Sequence, residues 1–323
     1  MIVPKPLSSW RTPKRNVVTI IAGFRCQDGI VVCSDTQETS GPAKRSVPKL
    51  QCFHGPVSSQ DRQSMINPDL ALAICGAGDG PFIDKITSQA WDAIRYVSDL
   101  WEAGDRVESM IKETYKEFGQ IFQPGTCPQV DLIYGITIGG ASRLFEAKGP
   151  VVNETNYSSD GAGYYLADFL TSRMRGDAWL NVRQTVILAA YILFQAKEHV
   201  EGCGGESHIA VLRESESSGM VDFRLIQHLT EYLKIADLYT GEMLLTSSDF
   251  TLPEHTVLKG LMDSMESIKF VRAREKKQLE TDRKDDRTML GSLIWPGGRP
   301  STDDLGLPVV SKPSDSQKSE DQQ

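Results

Sequence analysis

Two apolar runs rich in β-branched residues, 17–24 and 29–34, lie on either side of the turn Cys26-Gln27-Asp28-Gly29, and this pairing constrains the fold more than any other stretch of the chain. Asp-Gly reads as a tight turn because both residues tolerate the left-handed backbone that a two-residue hairpin demands. The spacing predicts an antiparallel hairpin. A polar loop over 39–46 and a third strand over 47–53 follow. Residues 70–75 form a short apolar run ending in Gly76-Ala77-Gly78-Asp79-Gly80, which predicts a buried strand entering a tight turn.

Helical periodicity then takes over. Ile83, Ile86, Ala90, Ile94 and Val97 share one helical face; Val107, Ile111, Tyr115, Phe118 and Phe122 share another, with Gly104 read as the break between them. Short strands return at 131–138, 143–147 and 151–156. Helices are expected at 163–174 and 182–200, the second capped by Asn181 with Gln184. Strands at 208–212 and 221–226 close the region. Runs of strands and runs of helices, rather than strict alternation, exclude a Rossmann-type parallel sheet and suit two sheets packed face to face with helix pairs outside. Beyond it, 227–240 and 253–290 read as helical, with Thr251 and Glu254 as a capping box for the second. The domain expectation is a flexible prefix or propeptide over 1–16, a folded domain over 17–226, a helical extension over 227–290 and a disordered tail over 291–323.

Charge and composition remove several function classes. The net charge of −8 supplies few cations to displace counterions from phosphates, so no nucleic-acid partner is expected. No apolar run is long enough to cross a bilayer, and the first 18 residues lack the apolar segment of a secretory signal, so the expectation is a cytoplasmic protein without a membrane partner. The six cysteines form no C-x-x-C pair and read as small buried hydrophobes; the five histidines are scattered, and no metal site is expected. Gly76-x-Gly78-x-Gly80 lacks the dinucleotide-loop spacing, and no G-x-S-x-G elbow occurs. His199 and His208 read as structural.

Thr19 and Asp35 flank the hairpin turn almost symmetrically, and a loop centred on Gln27 would set them on facing positions. Lys49 stands on the next expected strand, read as running beside the second. A hydroxyl, a carboxylate and an amine would then meet at one end of three strands. A threonine hydroxyl is a weak nucleophile. A free α-amine on the same residue can act as its base, a neighbouring lysine can lower that amine's pKa, and a carboxylate can hold the lysine.

Thr19-Ile20-Ile21-Ala22, Asp28-Gly29, the apolar 30–33 and Ser34-Asp35-Thr36 together resemble the opening of proteasome β-type subunits, of the N-terminal-nucleophile (Ntn) hydrolases. Lys49-Leu50, the strand ending at Gly76, Gly161-Ala162-Gly163 and Cys203-Gly204-Gly205 follow in the same order as that family's later motifs. The resemblance covers about residues 17–226. It implies an α+β, four-layer αββα sandwich with a C-terminal helical extension, and a threonine-type peptidase needing no cofactor. It implies Thr19 as nucleophile, Lys49 and Asp35 as its supports, and the Gly76 N–H as oxyanion donor. It also implies a polypeptide substrate, a homo- or hetero-oligomeric ring and an ATP-dependent unfoldase as partner. Four positions depart from the pattern: Val18 stands where a glycine precedes the nucleophile, Ala162 and Cys203 replace supporting serines, and Val200 stands where an aspartate is expected, between His199 and Glu201. The alternative implied is a non-catalytic assembly subunit of the same fold.

Overall fold

The computed structural model describes residues 19–40, 43–55, 66–122, 127–128, 130–175, 179–214 and 218–285. In chain order the elements are β1 (Ile20–Arg25), β2 (Gly29–Asp35), β3 (Gln37–Ser40), β4 (Ala43–Ser46), β5 (Leu50–His54), β6 (Ala71–Gly78), α1 (Gly80–Ile94), α2 (Leu100–Ile121), β7 (Val130–Ile138), β8 (Ala141–Lys148), β9 (Val151–Thr155), β10 (Tyr157–Gly161), α3 (Tyr164–Arg175), α4 (Val182–His199), β11 (Ser207–Arg213), β12 (Gly219–Met220), α5 (Phe223–Ser248) and α6 (Glu254–Asp285). The prefix over 1–16, Val18 and the tail over 291–323 lie outside the described residues.

The expected hairpin is β1–β2, with Arg25 opposite Ile30 and Ile21 opposite Ser34. Its turn also anchors a helix: Asp28 Oδ1 accepts from the Val182 N–H at 2.7 Å, and Gln27 Nε2 donates to the Trp179 carbonyl at 2.7 Å. Two five-stranded antiparallel sheets result, ordered β10-β1-β2-β11-β12 and β5-β6-β7-β8-β9. Alternation along β2 divides its side chains. Ile30 and Val32 join Ala73, Cys75, Ile133 and Leu144 in a core shared by both sheets, while Val31 and Cys33 join Ala189, Leu193 and Ile209 in a core with α3 and α4. On the other sheet, Leu72, Ile74 and Tyr134 pack with Ile86, Val107 and Ile111 of α1 and α2. The chain is thus a mixed α/β fold of antiparallel sheets and helices, and every core is a seam between two such layers.

Five local expectations need correction. Residues expected as a polar loop at 39–46 lie largely in the β3–β4 hairpin, in which Gln37 faces Ser46. Gly104 does not separate two helices. It lies inside α2, where an added Cβ would come within 2.9 Å of the Phe145 ring, so its role is close approach of helix to sheet; the break falls before Asp99, whose side chain caps α2 through the Glu102 N–H. The strand expected at 221–226 is the start of α5, because Asp222 caps it by accepting from the Arg224 N–H. Thr251 does not cap α6; its N–H and hydroxyl both donate to Asp249 Oδ1. Strand β10, which borders β1, went unforeseen, since Ser158, Ser159 and Asp160 give no apolar signal. The Asn181–Gln184 capping box on α4 is present in both directions.

α5 and α6 form a hairpin pinned by a histidine. His228 Nδ1 lies 3.0 Å from Glu275 Oε2 and Nε2 lies 2.9 Å from Asp282 Oδ2. Burial pulls the imidazole's pKa down, but the two carboxylates outweigh it and raise the pKa above the ordinary 6.5. Only imidazolium donates from both nitrogens. The stabilisation is therefore fully present below pH 6.5 and disappears as pH climbs through the raised folded-state value. Hydrogen exchange of the α6 amides around Glu275 should be faster at pH 9 than at pH 6 after correction for intrinsic rates, and His228→Gln should remove that difference.

Candidate active site

Thr19 is 2% exposed and Asp35 is fully buried, at the end of the β1–β2 hairpin. Continuing the hairpin register sets Asp35 level with Ile20, one residue from the facing position expected for Thr19. The side chains meet nonetheless. Thr19 Oγ1 donates to Asp35 Oδ1 at 2.5 Å, and the Ile20 N–H reaches the same oxygen at 3.3 Å. Lys49 arrives by a different route from the one expected. It does not run beside β2; it directly precedes β5, the edge strand of the other sheet, and reaches across to the first. Its Nζ donates to Thr19 Oγ1 at 2.5 Å and to Asp35 Oδ1 at 2.9 Å, and also to the Gln37 carbonyl. With the lysine side chain 11% exposed and Asp35 dry, the ion pair is shielded from solvent, and each partner leaves a costly buried charge if the other is removed.

The structure gives Gly76 a different duty from the one expected. Its N–H donates to the Lys49 carbonyl at 3.2 Å within the β5–β6 pairing, so this donor is committed to the backbone of the lysine rather than open to an oxyanion. An added Cβ would come within 2.7 Å of Ile83 Cγ2, so glycine lets α1 pack against the strand that holds Lys49. The Val47 N–H, bonded to the Thr36 carbonyl at 2.7 Å, fixes the approach to Lys49 from the other end.

Sequence reasoning missed the groups that hold Asp35 and Gln37. Gly204 donates its N–H to Asp35 Oδ2 at 2.9 Å and accepts from the Gln37 N–H at 3.1 Å. Gln37 Nε2 binds the Gly202 carbonyl at 3.0 Å, and the Glu206 N–H binds Thr36 Oγ1 at 2.7 Å. The glycine pair Gly204-Gly205 was the only available signal. Cys203 and Val200, at two of the departing positions, are buried together in the α3–α4 core. Burial and the nearby Asp35 charge push the Cys203 thiol up to about 12, so it stays protonated. His208 sits in β11 opposite Ser34, 3.6 Å from Glu206. Among the described residues no group of three or more histidine, cysteine or acidic side chains is placed to hold a metal, and no helix is long and apolar enough to cross a membrane.

The site offers a hydroxyl with a cation and an anion each at hydrogen-bond distance. Comparison with known proteins corrects the resemblance drawn from the motifs. No protein-family model matches the chain, and no curated protein matches it. Anbu (ancestral beta-subunit) from Yersinia bercovieri is 16% identical with a TM-score of 0.56, covering 73% of this chain and 98% of that one. The helical assembly of the Anbu complex from Pseudomonas aeruginosa gives 14%, 0.56 and the same coverage. The Anbu (Gly-1) mutant from Hyphomicrobium sp. strain MC1 gives 14% and 0.52, covering 68% and 94%. At such identities the likeness is one of fold, and the fold this chain shares is that of the Anbu structures.

Proposed function

We propose that the chain is a threonine-type hydrolase of peptide or other amide bonds, with Thr19 as nucleophile and the cores on either side of its paired sheets forming a four-layer αββα sandwich over 17–226. The observation that carries the reading is the contact of Thr19 Oγ1 with Lys49 Nζ and Asp35 Oδ1, each at 2.5 Å, with Thr19 and Asp35 both buried. In the proposed sequence the Val18–Thr19 bond is cut first, freeing the Thr19 α-amine. That amine takes the proton from Oγ1 as the oxygen attacks a substrate carbonyl, then passes it to the leaving amine as the C–N bond breaks. Water attacks the resulting ester, giving a carboxylic acid and restoring the threonine hydroxyl. Lys49, held by Asp35, keeps the neighbouring amine unprotonated by like charge. Gly76 serves by fixing Lys49, and no step is assigned to its N–H.

The helical assembly reported for the Pseudomonas aeruginosa protein, together with exposed Trp101, Ile121 and Phe122 on and next to α2, supports self-association of this chain. A second reading, a scaffold subunit without turnover, draws on Val18, on the committed Gly76 N–H and on the apolar pair Val200 and Cys203. Intact-mass analysis of the purified full-length protein separates the two. A chain that begins at Thr19 supports the hydrolase, whereas one that retains its first 18 residues after prolonged incubation leaves no free amine and overturns it.

A further inference from the structure

Asp35 is held at both oxygens by different parts of the fold. Thr19, Ile20 and Lys49 all donate to Oδ1, whereas the donor to Oδ2 is the Gly204 N–H at 2.9 Å. The orientation of the carboxylate therefore depends on the turn between α4 and β11. That turn is tied to β2 and β3 through Gln37 and Thr36. On its other side a half-buried lysine in the last turn of α4 holds it. Lys197 Nζ donates to Ser207 Oγ at 2.8 Å and to the Gly205 carbonyl at 3.3 Å. Ser207 is the residue paired with Asp35 across the β2–β11 ladder.

We propose that Lys197 is a positioning residue of this site: its ammonium locks the 202–207 turn, and through Gly204 it keeps Asp35 Oδ1 aimed at Thr19 Oγ1 and Lys49 Nζ. The assignment rests on the threonine-hydrolase reading for its effect on turnover, but not for its effect on the turn. A neutral side chain at 197 removes the donor shared by Gly205 and Ser207, so the turn and Asp35 gain freedom together. Charge also matters. Burial pulls the Lys197 pKa below the ordinary lysine range and Lys234 of α5 adds to that, while Asp35 of β2, Glu198 of α4 and Glu206 of the turn draw it back up. Lys197 thus loses its proton at a lower pH than a surface lysine, and the lock should loosen on the alkaline side. Arginine at 197 keeps its charge there.

The test uses the full-length chain and a β-lactone probe, whose ring is opened by the Thr19 hydroxyl to give an ester detectable by mass spectrometry. Lys197→Met should label at least tenfold more slowly than wild type at pH 7.5 with a similar melting temperature. Lys197→Arg should restore the rate and move the alkaline limb of the rate profile to higher pH. If Lys197→Met does not fold, Lys197→Leu replaces it. Wild-type rate and profile in the neutral variant overturn the proposal, as does a slow neutral variant that arginine leaves unrescued. If wild type itself does not label at Thr19, the hydrolase reading fails instead, and hydrogen exchange at the Gly204 and Gly205 amides decides Lys197: faster exchange in Lys197→Met supports the lock, and equal exchange overturns it.

Discussion

Thr19→Ala is expected to abolish both removal of the first 18 residues and all labelling or turnover, a loss on the order of 10⁵–10⁶-fold for a nucleophile acting as part of a unit. Lys49→Ala should cost about 10⁴-fold or more, because it removes the donor to Thr19 Oγ1 and leaves the fully buried Asp35 carboxylate without its counter-ion. The two losses should not add. Thr19, Asp35 and Lys49 share one cluster of hydrogen bonds, so the double variant should be no slower than Thr19→Ala alone. Paired measurements of intact mass and labelling rate on the three variants check this. Efficient labelling at position 19 in Lys49→Ala would mean that the ion pair is structural only.

Gly161→Val should be the most damaging of the single glycine substitutions next to the site. Gly161 has φ +89°, a conformation that β-branched residues avoid. It also pairs with Ile20, and a Cβ there would come within 2.3 Å of the Thr19 carbonyl oxygen. The obstacle is backbone, so relief requires β10 to move off β1 or Thr19 to shift. A loss of about 4 kcal/mol is expected, lowering Tm by about 10 °C. Labelling of Thr19 in the surviving folded protein should fall as well, since near-attack geometry tolerates little displacement. Gly139→Ala is the control. It too has positive φ, +57°, but meets nothing within 4 Å, so only the conformational cost of about 1 kcal/mol applies. Thermal melts of both variants, with equal shifts as the contrary result, decide whether the backbone contact at Thr19 matters.

The amino-acid sequence by itself determined the elements whose signal is local. Asp28-Gly29 between two apolar runs specified the β1–β2 hairpin, and Asn181 with Gln184 specified the start of α4, because turn and cap chemistry act over a few residues. It also singled out Thr19, Asp35 and Lys49, which the fold brings within hydrogen-bond reach of one another. What required the tertiary structure was every feature made between distant segments. Lys49 comes from the opposite sheet, Gly104 is needed because Phe145 lies against it, and β10 is a strand because β1 offers it an edge, not because Ser158, Ser159 and Asp160 favour one. The Gly76 N–H shows the limit most directly. A glycine's place in a motif cannot reveal where its hydrogen bond goes, and here the pairing of β5 with β6 commits it to Lys49. Gly204, on the turn that Lys197 holds, reaches Asp35 from more than 160 residues away, a separation that folding closes and no local pattern encodes.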